Sequence, residues 1–313
     1  MEDFSNILNI YKNGNYIVKI FKDGTKERIL IGSAEEFNAA FPENMDVKIT
    51  DKCCQGCPFC YEGCKPEGLH AMLFDGDTPA FEWMKHLHAG TELAINGNDM
   101  DHPQLEQFLK YMKERGVLVN ITVNQTQFET NFDKLYRLSN QELIRGTGVS
   151  LQHFTYGFDQ MCKWFPNLVI HTIYGVTPIE EYMVMEGRNY NILILGYKMK
   201  NRGAGWIADR WHGNLFGNVL VSEFDEYLAG VLDDKRLFRT ISFDNLALEQ
   251  LNFKEDFFTG TEDEWDKLYQ GDDGTHTFYL DLCKGEFAKS STEETRYDIG
   301  NKTCEEMLKI LKN

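Results

Sequence analysis

Residues 51–64 read DKCCQGCPFCYEGC, and this stretch holds five of the chain's eight cysteines. In a reducing compartment, clustered cysteines bind metals or take part in catalysis more often than they form disulfides. The stretch also follows the first apolar strand of a long pattern of alternating strands and helices, so its position bears on the fold as well as on the chemistry. We therefore interpret residues 51–64 as a candidate metal-binding loop.

Length and composition are those of a soluble globular chain. The 313 residues suffice for one large α/β domain with appendages or for two ordinary domains. Hydrophobic residues make up 42% of the chain, and no apolar run reaches the length of about eighteen residues that a transmembrane helix needs. The first residues, MEDFSNILNIYKNG, lack the basic and apolar stretches of a secretory signal. We expect a cytoplasmic protein with no membrane partner.

The charge of the chain bears on its partners. Its 49 acidic and 32 basic residues give a formal net charge of −17, which repels phosphate backbones. Nucleic acid is therefore not an expected partner. A local basic groove at Lys65, Lys198, Lys200 and Arg202 stays open, with solvated loop residues as the alternative.

The hydrophobic pattern predicts an α/β fold. Residues 15–21 and 26–32 alternate apolar and polar positions around an Asp-Gly turn, which predicts an N-terminal β-hairpin. Further on, apolar strands alternate with amphipathic helices, and such repeated units favour a parallel sheet. The predicted strands are 46–50, 92–96, 117–124, 148–152, 168–175 and 191–196. A helix follows the second of them, with Pro103 in its first turn and Gly116 after its last.

These six strands predict a partial (β/α)6 TIM-like barrel of parallel strands over residues 45–245. The N-terminal β-hairpin would occupy residues 1–44, and a small α+β extension would occupy residues 246–313. In parallel α/β folds, ligands bind on the loops at the carboxyl ends of the strands. The candidate metal-binding loop follows the first barrel strand and so lies on that face.

The spacing of Cys53, Cys57 and Cys60 is CxxxCxxC. Three thiolates from one short loop can hold three irons of a [4Fe–4S] cluster and leave the fourth iron without a protein ligand. A structural zinc site is the competing interpretation, but zinc sites usually take four ligands, and the sequence has no second CxxC pair. A non-enzymatic zinc- or iron–sulfur-binding domain therefore remains an alternative.

The motif resembles that of the radical S-adenosylmethionine (radical SAM) superfamily, in which an aromatic residue, here Phe59, precedes the third cysteine. The stretch ELAINGNDMDHP (92–103) is similar to the family's second strand and its GGEPLLHP-like turn. It matches at Gly97, His102 and Pro103 and departs at Asn96, Asn98 and Asp99. Since this turn binds the amino group of the cofactor in the family, the expected acceptors are the side-chain oxygens of Asn98 and Asp99 and exposed main-chain carbonyl oxygens. The alternative is an ordinary strand-ending turn.

The resemblance covers about residues 45 to 200 and implies further cofactor contacts. Ser150 and Gln152 would meet the ribose, the backbone near Leu195 would meet the adenine, and Tyr61 would neighbour the adenine. For Ser150, a local hydrogen bond is an equally good explanation. The implied reaction is reductive cleavage of S-adenosylmethionine to a 5′-deoxyadenosyl radical, which abstracts hydrogen from the substrate. The implied electron donor is a flavodoxin or a ferredoxin.

The remaining cysteines have no clear place in this scheme. Cys54 and Cys64 are interpreted as loop residues. The tail from residue 275 looks like a degenerate form of the SPASM/twitch extension that holds auxiliary clusters in many relatives. It contains only Cys283 and Cys304, and two thiols cannot hold a conventional cluster unaided, so we expect none.

The substrate is the open question. A ribosomally made peptide is the first hypothesis, and a nucleotide or other small metabolite is the second. The stretch YKMKNRGAGW (197–206) reads either as an anion-accepting loop or as a flexible linker. The candidate substrate contacts are His153, Tyr156, His171, Tyr174, Glu180, Tyr197, Arg202, Trp206, Trp211 and His212.

Overall fold

The computed structural model describes residues 6–74, 76, 78–211, 219–269 and 273–313, without the side chains of 207–211, 219–222 and 267–268. The strands are β1 Ile7–Asn13, β2 Tyr16–Phe21, β3 Lys26–Leu30, β4 Asn44–Lys48, β5 Glu92–Asn96, β6 Leu118–Asn124, β7 Thr147–Ser150, β8 Leu168–Ile173, β9 Asn191–Leu195, β10 Thr240–Phe243, β11 Thr277–Asp281, β12 Glu286–Ala288 and β13 Tyr297–Asp298. The helices are α1 Pro79–Lys85, α2 Leu105–Glu114, α3 Gln125–Thr130, α4 Phe132–Asn140, α5 Tyr156–Trp164, α6 Ile179–Met183, α7 Arg202–Trp211, α8 Val219–Asp233, α9 Asn245–Gln250, α10 Phe253–Asp256, α11 Glu262–Leu268 and α12 Cys304–Lys312.

The N-terminal segment forms an antiparallel sheet of three strands in the order β1-β2-β3. The predicted hairpin is present as β2 and β3, and Gly24 in its turn has a φ of +93° that glycine adopts without strain. The strand β1 was not predicted. Its turn to β2 contains Gly14 at φ +58°, and a Cβ there would lie 1.9 Å from the Asn38 carbonyl oxygen. Asn13-Gly14 is a turn signal that marks this third strand.

The small sheet covers the start of the large one. The Tyr16 hydroxyl and the Arg28 Nε donate to one carboxylate oxygen of Glu43, at 2.5 and 2.9 Å, just before β4 begins. Lys26 Nζ lies 2.7 Å from the carboxylate of Glu92, the first residue of β5. These contacts hold the N-terminal sheet at the amino ends of the parallel strands. Other segments of the chain form the face at the carboxyl ends of these strands, where the candidate metal-binding loop lies.

The large sheet has ten strands in the order β10-β9-β8-β7-β6-β5-β4-β11-β12-β13. Strands β4 to β9 are parallel neighbours in chain order, which confirms the predicted α/β fold class. Strand β10 extends the parallel set beyond β9, and β11 pairs in parallel with β4 on the other side. Within the described residues the sheet is open, with β10 and β13 at its edges. The division of the chain after residues 44 and 245 stays a prediction.

The two faces of the parallel sheet differ in chemistry. On β4, Met45 and Val47 are buried in the core, and the helix residues Trp83, Phe108 and Phe128 complete that core. The alternate positions lie on the opposite surface, which we call the polar face. The polar face carries Asp46, Lys48, Asn96, Asn120, Thr122, Asn124, Ser150 and His171.

The predicted strand bounds agree closely at β5 and less well at β4. Strand β4 ends at Lys48, and Thr50, predicted as strand, instead bridges to His70. The predicted helix after β5 is α2, which begins at Leu105, so Pro103 precedes it rather than lying in its first turn. None of the described helices combines the length and the apolar character that crossing a bilayer requires.

Candidate functional site

The loop 51–64 lies at the carboxyl end of β4, on the predicted functional face. Main-chain hydrogen bonds fold it back on itself, from Cys53 N to Lys65 O at 3.0 Å and from Lys65 N to Asp51 O at 3.2 Å. A bond from Cys60 N to Cys57 O, at 3.3 Å, makes a tight turn between two of the predicted ligands. The loop is therefore closed at its base.

The three predicted ligands differ from the other cysteines of the loop in exposure. Cys53, Cys57 and Cys60 are half-buried, Cys54 is exposed and Cys64 is buried. Burial raises the pKa of the Cys53 thiol, and the neighbouring thiols Cys57 and Cys60 raise it further. The raised pKa values of the Cys53 and Cys57 thiols match a ligand set whose negative charge a cationic iron cluster would neutralise. The donor set fits a [4Fe–4S] cluster, although which thiols hold metal stays a prediction.

The Cys57 thiol has its own polar surroundings. Burial and the neighbouring Cys60 raise its pKa, whereas Asn124 and the Arg202 guanidinium act in the opposite direction. The Asn124 Nδ2 lies 3.8 Å from the Cys57 sulfur, and Asn124 ends β6 on the polar face. Asn124 was not among the predicted site residues. The sequence feature that could have identified it is its position, since it is the last polar residue of a strand in which polar and apolar residues alternate.

The turn after β5 supports the base of the loop. It forms a 3-10 helix over Gly97–Asp101, and the Asp99 carboxylate accepts the Asn96 amide at 2.8 Å. Asn98 Nδ2 donates to the carbonyl oxygens of Thr50 at 2.8 Å and Lys52 at 3.3 Å. Asp99 is fully buried, and burial raises the pKa of its carboxyl group.

Glycine is required at the head of this turn. A Cβ on Gly97 would lie 2.6 Å from the Gln127 Oε1 and 2.7 Å from the Val123 Cα. Asn98 and Asp99 have structural roles in the turn, because their side chains already make the hydrogen bonds described above. Their predicted role as acceptors for the cofactor's amino group stays a prediction.

The other predicted cofactor contacts lie at strand ends along the same edge. Ser150 ends β7 and is half-buried. Gln152 receives a hydrogen bond from Thr126 Oγ1 at 3.0 Å, and its main-chain amide donates to Gln125 Oε1 at 2.9 Å. The buried Gln125 thus ties the loop after β7 to the end of β6. Sequence reasoning missed it.

At the end of β9, the main-chain amides beyond Leu195 are already engaged. Gly196 N donates to Asp244 Oδ1 at 2.9 Å, and Tyr197 N donates to Gln250 Oε1 at 2.7 Å. The carbonyl oxygens of Leu195 and Tyr197 also accept hydrogen bonds within the protein, from Tyr174 N at 2.9 Å and from Gln250 Nε2 at 2.8 Å. The two aromatic candidates of the loop, Phe59 and Tyr61, contact the segment that follows this strand end, Phe59 through Trp206 and Tyr61 through Lys198.

The candidate substrate contacts are not brought together as one group. His153 and Tyr156 are exposed, with the His153 ring 3.1 Å from Glu181. Tyr174 is buried and its hydroxyl lies 3.5 Å from Asp225. His171 is buried on the polar face, where burial lowers its pKa to about 4. Glu180 is exposed, Tyr197 is buried and Trp206 is half-buried, while the Trp211 side chain and the whole of His212 lie outside the described residues.

A buried lysine organises the charges beside the loop. Lys48 Nζ contacts the carboxylate of Asp51 and lies 3.1 Å from Glu62 and 3.4 Å from Asp281. The Tyr279 hydroxyl donates to Glu62 at 3.1 Å, so β11 also reaches the loop. The sequence signal for this network is a lysine inside an otherwise mostly apolar strand.

Within the described residues, one group has metal-ligating atoms that all lie within 4.8 Å of one another, and it consists of Asp51, Asp281 and Cys283. The ammonium of Lys48 contacts the carboxylates of both Asp51 and Asp281, so these two ligand candidates already pair with a cation. Burial raises the pKa of the Cys283 thiol. Cys304 begins α12 and is buried in the core.

A cleft of about 310 Å³ opens between the loop and the C-terminal segment. Its walls carry both signs of charge, so it presents no uniform potential to a ligand. It is lined by Lys48, Tyr61, Glu62, Lys200, Asn201, Tyr279, Asp281, Lys284, Glu286, Ser291, Glu293, Glu294 and Arg296.

Among solved structures, the chain is similar to SuiB of Streptococcus suis. The crystal structure of SuiB bound to S-adenosylmethionine superposes with a TM-score of 0.60 at 12% identity, covering 98% of this chain and 87% of that one. A second crystal structure of SuiB gives a TM-score of 0.56 at 11% identity with the same coverage. No protein-family model and no curated protein matches the sequence. The chain therefore shares the fold of a protein that has been crystallised with S-adenosylmethionine.

Proposed function

We propose that this chain is a radical SAM enzyme that binds one [4Fe–4S] cluster through Cys53, Cys57 and Cys60. One observation carries the proposal: the CxxxCxxC thiols lie at the carboxyl edge of a parallel sheet whose fold is shared with a protein bound to S-adenosylmethionine. When bound, the cluster and S-adenosylmethionine would supply a 5′-deoxyadenosyl radical for hydrogen abstraction.

The chain's own residues support the cysteine loop of this site. Asn98 anchors the base of the cysteine loop, and Asn124 donates toward the Cys57 sulfur. Hydrogen bonds to a thiolate sulfur favour the charged form that ligates iron. The strand-end residues Ser150 and Gln152 remain the proposed ribose contacts. A flavodoxin or ferredoxin remains the proposed electron donor.

We put forward a peptide as the substrate class, with a small metabolite as the alternative. The polar face carries the carboxylate of Asp46, and Lys48 is already surrounded by three carboxylates. The basic residues Lys198, Lys200 and Arg202 all contact the protein itself. An anionic nucleotide would meet few available cations here, which disfavours the nucleotide hypothesis.

The test is anaerobic reconstitution followed by reaction with dithionite and S-adenosylmethionine. The wild-type protein is expected to bind about four irons per chain and to form 5′-deoxyadenosine. A C–H deuterium of the true substrate should then appear in that product. The matched control is Cys57→Ala, which should form none.

A protein that holds a full cluster and binds S-adenosylmethionine, yet yields no 5′-deoxyadenosine, would contradict the proposal. A 3-amino-3-carboxypropyl product would assign a different cleavage of the same cofactor. Tight zinc binding without iron would favour the non-enzymatic alternative. To test the substrate class, the reconstituted protein is incubated with peptides encoded beside its gene, and changes in their masses are followed by mass spectrometry.

A further inference from the structure

The segment after β9 contacts the cysteine loop directly. The Arg202 guanidinium donates from Nε to the Cys57 carbonyl at 3.0 Å and from Nη1 to the Cys64 carbonyl at 2.9 Å. One planar fork therefore joins two points of the loop that lie seven residues apart. Cys60 lies between these two points. Fixing both carbonyls restricts the path that the loop follows through its third predicted ligand.

Two glycines let the segment and the loop approach closely. A Cβ on Gly203 would lie 2.6 Å from the Lys198 carbonyl oxygen and 3.3 Å from that of Phe59. A Cβ on Gly63, which has a φ of +69°, would lie 3.0 Å from the Asn201 Cγ. The Asn201 Nδ2 donates to the Tyr61 carbonyl at 2.5 Å. A glycine in the segment and a glycine in the loop therefore both permit this close contact.

The C-terminal tail also binds this segment. Lys200 Nζ lies 3.3 to 3.4 Å from three successive carbonyl oxygens, those of Ser291, Thr292 and Glu293. Lys198 Nζ donates to the Ser291 hydroxyl at 2.9 Å and lies 4.2 Å from the centre of the Tyr61 ring. The lysines that suggested an anion-accepting loop therefore bind the tail and the cysteine loop.

We infer that residues 198–203 form a bracket in which Arg202 positions the cluster-binding loop, and that tail residues 291–293 lock this bracket in place. Arg202 is a positioning residue, since it contacts the main chain of the loop and not a reacting atom. The tail thereby acquires a role that needs no auxiliary cluster. The cluster part of this inference rests on the proposed function, whereas the positioning of the loop does not.

The first test measures hydrogen exchange by mass spectrometry in the full-length protein without metal, kept reduced and anaerobic. In Arg202→Gln the amides of Cys53, Cys60 and Lys65 should exchange about tenfold to a hundredfold faster, because hydrogen bonds from a charged group are lost. Peptides from β5 to β8 should be unchanged, which shows that the variant is folded. The matched control is Arg188→Gln, since Arg188 also makes two hydrogen bonds within the protein, to the Val184 carbonyl and the Asp159 carboxylate, but lies away from the loop.

The second test separates the fork from the charge. Arg202→Lys keeps the cation but cannot donate to both carbonyls in the planar geometry of arginine, so loop protection should stay lost. In the reconstituted protein, Arg202→Gln should release iron to a chelator faster and lower the cluster's midpoint potential, because a cation that stabilises the reduced state is gone. Arg202→Lys should also release iron faster but keep a potential near the wild-type value.

The tail is tested by Lys200→Met, which should raise exchange at 198–203 and, to a smaller extent, in the cysteine loop. Unchanged loop protection in Arg202→Gln would overturn the positioning role, and unchanged exchange in Lys200→Met would overturn the lock. If Arg202→Gln increases exchange in the loop but the wild-type protein never binds iron, only the proposed function is contradicted. These outcomes therefore distinguish the two proposals.

Discussion

Replacing Lys48 by methionine is the sharpest test of the charge network beside the cysteine loop. The Lys48 side chain is 3% exposed, and its partners Glu62 and Asp281 are 11% and 6% exposed. Methionine keeps the unbranched shape but removes the ammonium. Three carboxylates, with Asp51 the most exposed at 29%, would then face one another without the ammonium that contacts all of them.

Removing one partner of a buried ion pair costs about 3–5 kcal/mol, because the remaining charge stays desolvated. We expect Lys48→Met to lower the free energy of unfolding by about that amount at neutral pH. Burial alone would lower the pKa of Lys48, but Glu62 and Asp281 outweigh it and raise the pKa above its usual range. The stabilisation is therefore fully present below the ordinary lysine pKa of about 10.4 and is lost only as the pH rises further.

The assay is urea unfolding of the metal-free protein under reducing, anaerobic conditions at pH 7. Lys113→Met is the matched control, since Lys113 pairs with Glu142 on the surface at 3.2 Å and should cost no more than about 1 kcal/mol. Adding Glu62→Gln to Lys48→Met should restore part of the loss, because one of the unpaired carboxylates is gone. A loss no larger than that of the control would refute the interpretation of Lys48 as the buried centre of the network.

Three further outcomes are expected. After anaerobic reconstitution, Cys57→Ala should lose the bound iron while Cys54→Ala, at an exposed position, should keep it, as measured by iron analysis. Asn98→Ala removes the hydrogen bonds to the start of the cysteine loop and should weaken S-adenosylmethionine binding about tenfold in equilibrium dialysis, with unaltered affinity counting against a supporting role for the turn. Because burial lowers the pKa of His171 to about 4, folded protein should lose up to about 3 kcal/mol of stability as the pH falls from about 6.5 toward 4. Urea titrations across that range should show a smaller loss in His171→Gln, and an equal loss would assign the acid sensitivity to other groups.

Sequence periodicity was enough to predict the six parallel strands β4 to β9 and the place of the cysteine loop, but not the parallel strands β10 and β11. Strand β5 has the predicted bounds, Glu92–Asn96, and the loop lies at the carboxyl end of β4 as expected. These features are local, because alternation of apolar residues and turn signals act over a few residues. The Asn13-Gly14 turn was equally local and could have revealed β1.

The tertiary structure decided what surrounds the loop. Strand β11 pairs with β4, and Lys48 meets Asp281 across 233 residues of sequence. Arg202 reaches the Cys57 carbonyl across 145 residues, so a stretch that reads in sequence as an anion-binding loop instead binds the main chain. A residue's type shows that it can donate a hydrogen bond, but not which acceptor the folded chain brings within reach. That choice follows from sheet order and chain closure, which depend on the packing of the whole chain rather than on any local pattern.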